Sequence, residues 1–121
     1  MKRLLVLALL ASPVQAQQMT SAPGGVVRVL DRLSGTLTDV DLSRGEAQTN
    51  GRLTVRLDEC RYPVDNPASD AEAHLTIHVT PATDPLFSGW MVASSPALSA
   101  LDHPRYDVWV LRCDTSAAVA P

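Results

Sequence analysis

The sequence predicts a mainly β domain, a small antiparallel sandwich or barrel with one short helix and one disulfide. Three observations support this fold class. Apolar and polar residues alternate with a period of two over most of the chain, which is typical of half-buried strands. Turn signals containing glycine or proline separate the alternating segments at short intervals. Two cysteines, Cys60 and Cys113, stand far apart in a chain of 121 residues.

The N-terminus has the organisation of a secretory signal. Two basic residues precede an apolar run over residues 4–11, and a pattern of small residues ends at Ala16. The run is shorter than the roughly 20 residues that a membrane-spanning helix needs, so a cleaved signal is preferred to an uncleaved anchor. We expect residues 1–16 to be a signal peptide, cleaved after Ala16, with no integral membrane segment in the mature chain.

The rest of the chain divides into three predicted parts. Residues 17–25 are small and polar and are expected to form a flexible leader, and the Ala/Pro tail at 116–121 is expected to be disordered. Between them, 26–115 reads as a single β-rich domain. Loss of Lys2 and Arg3 with the signal would change the formal net charge from −3 to −5. This acidic balance argues against nucleic acid or anionic lipid as partners.

The strands are predicted from alternation and are separated by turns. Ser34 with Gly35 and Asn50 with Gly51 are turn signals, the second of them ending a short polar connection. One short helix is predicted at 96–101, because a serine cap and a proline stand at its start and another proline follows it. The predicted strands cover 26–31, 36–42, 53–58, 73–80 and 105–113.

Two segments break the alternation. Leu37 has the parity opposite to that of Val40, which predicts a bulge near residues 38–39. Cys60 has the polar parity of its own strand, so the backbone must bend or bulge near residues 58–59 if the sulfur is to face the core.

The last strand has apolar residues on both faces. Trp109, Leu111 and Cys113 share one face, and Tyr106 and the valines share the other. This pattern predicts a central strand that is covered on both sides.

Cys60 and Cys113 are expected to form a disulfide, because an oxidising compartment leaves few thiols free. The bridge would close a loop of about 50 residues and stabilise the domain by about 4 kcal/mol through loop-closure entropy. The chain has no Cys-x-x-Cys motif, which argues against a redox role. Free thiols or metal ligation are the alternatives.

His74 and His78 have a spacing that suggests a metal pair on a helix. They lie in a segment of strand-forming residues, where four residues span about 13 Å. That distance is too long for two ligands of one ion, so both are interpreted as solvent-facing strand histidines. No metal site and no cofactor are predicted.

A serine hydrolase is a weaker hypothesis for this chain. Asp102 and His103, with Ser94, Ser95 or Ser99, supply the residue types of a Ser-His-Asp triad. The chain has no G-x-S-x-G motif, and helix capping explains the serines. We therefore assign no catalytic residue and expect a non-enzymatic domain, with a hydrolase using His103 as an alternative.

Most of the large aromatic side chains lie close together in the sequence. A concentration of this kind is typical of a core, but it also suits a surface patch that docks a protein or stacks on a sugar. The candidate binding residues are Phe87, Trp90, Met91, Tyr106 and Trp109.

The chain resembles a bacterial family, domain of unknown function 2155. The resemblance is carried by residues 30–35, 51–55, 60–61, 87–104 and 106–109, and the long stretch from Phe87 is the most specific. It covers nearly the whole predicted domain. Members of that family are exported and occur mainly in alphaproteobacteria, which implies a periplasmic location. The resemblance brings no activity, cofactor or catalytic residue.

The leading functional hypothesis is a periplasmic domain that binds another envelope protein, with residues 87–107 as the contact region. A small-ligand or glycan-binding module that uses Trp90, Trp109 and Tyr106 is the alternative from a different class.

Overall fold

The computed structural model describes residues 18–66, 70–96 and 101–115. These residues contain eight β-strands and no α-helix, so the predicted mainly β class is confirmed. The predicted signal peptide, the tail at 116–121 and most of the predicted helix lie outside the described residues. The strands are β1 (Met19–Ser21), β2 (Gly24–Asp31), β3 (Thr36–Ser43), β4 (Ala47–Asn50), β5 (Leu53–Pro63), β6 (Glu72–Val79), β7 (Phe87–Val92) and β8 (Tyr106–Asp114).

The strands form two antiparallel sheets that pack against each other. Sheet A has the order β1-β5-β6-β7, and β4 also pairs with β5. The short strands β1 and β4 pair with opposite ends of β5. Sheet B has the order β3-β2-β8. Its strand β8 lies against β5, β6 and β7, while β3 lies against β4 and β5, so the sheets face each other as a sandwich.

The core fills the space between the two sheets. Strand alternation places one apolar row of each long strand in this space and leaves the intervening residues on an outer face. Within each sheet the Cα register aligns the apolar rows of neighbouring strands, as between Val55 on β5 and Ile77 on β6. The buried apolar residues of the long strands include Val27, Val29, Val40, Leu42, Leu53, Val55, Leu57, Leu75, Ile77, Met91, Val108 and Val110.

The predicted disulfide is confirmed, and it joins the two sheets. Cys60 on β5 is bonded to Cys113 on β8, with the Cα atoms 5.7 Å apart. Gly25 on β2 lies beside the bridge. A Cβ atom at this glycine would come within 2.8 Å of the Cys60 sulfur, so the close approach of the strand requires a residue without a side chain.

A bulge in each of the bonded strands turns its cysteine towards the core. The β5–β6 register shifts between Leu57 and Glu59, which confirms the bulge predicted from the parity of Cys60. The β2–β8 register also shifts, leaving Leu111 as the extra residue. Cys113 therefore faces the same side as Val110, and its predicted position on the Trp109 face is wrong.

Three further expectations differ from the structure. The β2–β3 register is continuous, so no bulge occurs near residues 38–39, and Leu37 lies on the outer face with 56% of its surface exposed. The polar connection before Asn50 is itself a strand, β4, although the predicted turn at Asn50 and Gly51 joins it to β5. Strand β8 lies at the edge of sheet B, because it pairs only with β2 among the described residues.

The leader predicted at 17–25 is largely ordered in the described part. It contains β1 and the start of β2, and Ala22 between them is buried. The Ala22 amide donates to the Cys60 carbonyl at 2.7 Å. Backbone pairing with β5, which composition does not reveal, fixes this segment.

Candidate functional site

Trp90 lies on the outer face of sheet A. It is opposite His74 in the β6–β7 register, while the neighbouring pair, Ala73 and Met91, is buried in the core. Successive residues of a strand point to opposite faces, so Trp90 and His74 both point away from the core. The prediction that His74 faces outward is confirmed.

Two side chains flank the indole of Trp90, which is half-buried. The guanidinium carbon of Arg61 on β5 lies 4.1 Å from the ring centroid, a cation–π contact. The His74 ring meets the indole edge-on, with centroids 5.3 Å apart and an interplanar angle of 85°. The ring is thus held between side chains from two neighbouring strands.

Charge pairs hold both flanking side chains in place. Arg61 donates to Glu72 at 2.8 Å, and His74 donates through Nδ1 to Asp58 at 2.8 Å. Asp58 also accepts from Thr76 at 2.6 Å. We call this surface the Trp90 face, and it consists of Arg56, Asp58, Arg61, Glu72, His74, Thr76 and Trp90.

Asp58 is the centre of the hydrogen bonding on the Trp90 face. Partial burial raises the pKa of its carboxyl, but hydrogen bonds from Thr76, Arg56 and His74 together outweigh burial, and the net pKa lies below its ordinary value. Asp58 is therefore ionised at neutral pH and fixes the proton of His74 on Nδ1 when that imidazole is neutral.

Trp109 lies on the opposite side of the molecule. Its neighbours Val108 and Val110 are buried, so its indole points to the outer face of sheet B, beside Arg28 in the register. Arg28 donates to Asp39 at 2.7 Å.

The five candidate binding residues do not form one patch. Met91 and Tyr106 are each 2% exposed, and Phe87 packs against the same core. Trp90 and Trp109 reach the surface on opposite sheets. The core interpretation thus describes three of the five residues and the surface interpretation two, and a role in binding remains a prediction for all of them.

His103 is used as a structural acceptor. Its Nδ1 accepts the backbone amides of Arg105 at 3.0 Å and Tyr106 at 3.2 Å. Ser94 donates to Asp70 instead, and Ser99 lies outside the described residues. No serine hydroxyl of the described residues bonds to His103, so these residues do not assemble the triad that the alternative hydrolase hypothesis would need.

Sequence reasoning missed the partners of Trp90. Arg61, Glu72 and Asp58 lie 18 to 32 positions before it in the chain, and only the register of β5, β6 and β7 brings them together. The one signal in the sequence was the alternation that points His74 outward. It identifies the outer face of β6, but it does not identify the residues that contact Trp90.

The described residues contain no group of three or more His, Cys, Asp or Glu side chains that could hold a metal ion. Within these residues there is also no helix long and apolar enough to cross a membrane.

Comparison with known families gives a match over residues 25–113 to a family described as an uncharacterized protein conserved in bacteria (DUF2155). The chain belongs to this family. The DUF2155 match includes both cysteines and the whole Trp90 face, while β1 precedes it. The resemblance inferred from the sequence is thereby confirmed.

A relative with similarity over most of the chain comes from Rickettsia prowazekii (strain Madrid E), where it is described as an uncharacterized protein. It is 28% identical over 103 residues, which cover 83% of this chain and 66% of the relative. The chain therefore spans just under two thirds of the length of that relative. No solved structure matches the chain.

Proposed function

We propose that this protein is a non-enzymatic domain of the bacterial periplasm that binds another envelope protein through the Trp90 face. Two features support the location. Residues 1–16 have the organisation of a secretory signal, and the Cys60–Cys113 bridge is of the kind that persists in oxidising compartments.

The arrangement around Trp90 is the observation that carries the proposal. Tryptophan and arginine are the residue types most enriched at the energetic centres of protein interfaces. Arg61 and His74 are already held by Glu72 and Asp58, so less side-chain entropy is lost when a partner binds. The surrounding charges would form the polar rim of such an interface.

The glycan alternative has less support, because its three residues lie apart. Tyr106 is buried, and the two tryptophans point away from opposite sheets. A sugar could therefore stack on only one of the two tryptophans at a time. Cell-wall fragments that change the fluorescence of a Trp109→Phe variant, in which Trp90 is the remaining tryptophan, would favour this alternative.

Site-specific photocrosslinking tests protein binding at the Trp90 face. Ser88 is exposed and lies two residues before Trp90 on the same face of β7, so a photoreactive residue there would sit beside the interface. In living cells we expect one discrete crosslinked envelope protein. Trp90→Ala should reduce this product at least tenfold, as expected for the loss of a hot spot worth about 2 kcal/mol.

Two matched controls make the result specific. Trp109→Ala removes the same side chain from the opposite sheet and should leave the product unchanged, and a photoreactive residue at Asp39 should not yield it. A product that survives Trp90→Ala, with both tryptophan variants folded by circular dichroism, would contradict the proposed site.

A further inference from the structure

A groove lies at one end of the sandwich, where the loop between β6 and β7 meets His103. Its volume is about 480 Å³, within the range of small-molecule sites. The apolar part of its lining comes from the end of β6 and from this loop, through Val79, Pro81, Pro85 and Leu86. We call it the His103 groove. Trp90 is not among the residues that line it.

His103 is fixed on three sides. Its Nδ1 accepts two backbone amides, its carbonyl accepts from Arg32 at 2.7 Å, and its ring stacks on Tyr106 with centroids 5.4 Å apart. Because the Nδ1 lone pair is engaged, the proton of the neutral ring is on Nε2. No described residue bonds to Nε2, so His103 offers this N–H group as a donor.

Arg52, which carries a positive charge, also lines the groove. Its backbone is held in place, because its amide donates to the Tyr106 hydroxyl at 3.4 Å and its carbonyl accepts from the Thr80 amide at 3.0 Å. Its guanidinium has no carboxylate partner among the described residues, whereas Arg28, Arg32, Arg56, Arg61 and Arg105 each have one.

We propose that the His103 groove binds a small apolar carboxylate. The guanidinium of Arg52 and the Nε2–H group of His103 would hold the carboxylate, and the prolines and Leu86 would cover its apolar body. Asp84, which also lines the groove, would repel a second carboxylate and so favours ligands with a single negative charge. This site is independent of the Trp90 face.

NMR titration of the isotope-labelled full chain with N-acetylleucine, and with N-acetylleucine amide, tests the site. We expect the acid to shift the resonances of His103 and Leu86 and to bind several-fold more tightly than the amide. Arg52→Gln should weaken binding of the acid about tenfold, the loss expected for a charge-assisted hydrogen bond. Asp84→Asn should strengthen it.

Arg44→Gln is the matched control, because Arg44 is also exposed and lies at the other end of β4 from Arg52. It should leave binding unchanged. Three results would overturn the proposal: no shift at His103 or Leu86 up to the solubility limit of the acid, equal affinity for acid and amide, or equal affinity of Arg52→Gln and the native chain.

Discussion

Two carboxyl groups on opposite outer faces respond to their surroundings in opposite ways. Asp58, on sheet A, accepts three side-chain hydrogen bonds, which lower its pKa despite partial burial. Asp114, at the end of β8, is partly buried and shares a hydrogen bond with Asp41, and together these raise its pKa to about 6. Gly24 is on β2, between β3, which carries Asp41, and β8, which carries Asp114. A Cβ atom at Gly24 would come within 3.1 Å of the Asp114 carboxylate. The absent side chain thus leaves room for the acidic pair.

Replacement of Asp114 should stabilise the protein above neutral pH. The folded state favours protonated Asp114, so its contribution is fully present below the unfolded pKa of about 3.9 and is lost as the pH rises through about 6. Allowing for solvent screening, Asp114→Asn should raise the free energy of unfolding by about 1 kcal/mol near pH 8. Urea unfolding at several pH values measures this, with exposed Asp65→Asn as the control. A gain that is equally large in acid would contradict the assignment.

Replacement of Asp58 should have the opposite pH dependence. Its lowered pKa stabilises the fold above the unfolded value of about 3.9, and this contribution is lost as the pH falls through the folded pKa. Asp58→Asn should destabilise the neutral protein by about 1 kcal/mol, because Arg56 and His74 lose their charged partner. The same urea series in strongly acidic buffer should bring the variant and the native chain together. A difference independent of pH would indicate lost packing instead.

At the scale of strands, β2 makes a close contact with the disulfide. The bulges in β5 and β8 bring both sulfurs to the core, and β2 passes directly beside them at Gly25. A side chain at Gly25 would find no free space, because its Cβ atom would also lie 3.0 Å from the Arg112 carbonyl oxygen.

Gly25→Ala should therefore destabilise the domain by about 1–3 kcal/mol through overpacking. Gly89→Ala is the matched control, since its new methyl group would come no closer than 3.4 Å to any neighbour, the ring of Phe87. Thermal unfolding of the two variants compares them. A smaller loss for Gly25→Ala than for Gly89→Ala would contradict the packing described here.

Among these strands, those with a strict apolar row could be predicted from the sequence. Leu53, Val55 and Leu57 identify β5, and the mismatched parity of Cys60 located its bulge. Strand β4 could not be predicted, because all four of its residues are exposed and no apolar row marks it. The position of β8 at a sheet edge was missed because apolar residues on both of its faces predicted a strand covered on both sides. Trp109 is apolar, but it faces outward beside Arg28.

The candidate site was only partly predictable for a related reason. Proximity along the chain suggested that Trp90, Tyr106 and Trp109 act together. Strand alternation instead places Tyr106 in the core and the two tryptophans on the outer faces of opposite sheets. The contacts that hold Trp90 depend on the register between β5, β6 and β7, which is set by long-range pairing and has no local signature.

At the scale of the whole molecule, two small sheets are joined by one covalent bridge. Sheet B has three strands, and the Cys60–Cys113 bond ties its edge strand to sheet A. The double variant Cys60→Ala/Cys113→Ala should lose about 4 kcal/mol of unfolding free energy, the value expected for opening a loop of about 50 residues. Urea unfolding with and without reductant measures the loss. A native chain that is equally stable in reductant would contradict this role.

We propose that the disulfide-closed sandwich is exported and presents the Trp90 face to a partner. Mass spectrometry of the intact protein recovered from bacterial cells tests this most directly. We expect a chain that begins at Gln17 and, after digestion without reduction, a peptide containing Cys60 linked to one containing Cys113. Retention of residues 1–16, or alkylation of both cysteines without prior reduction, would contradict the account.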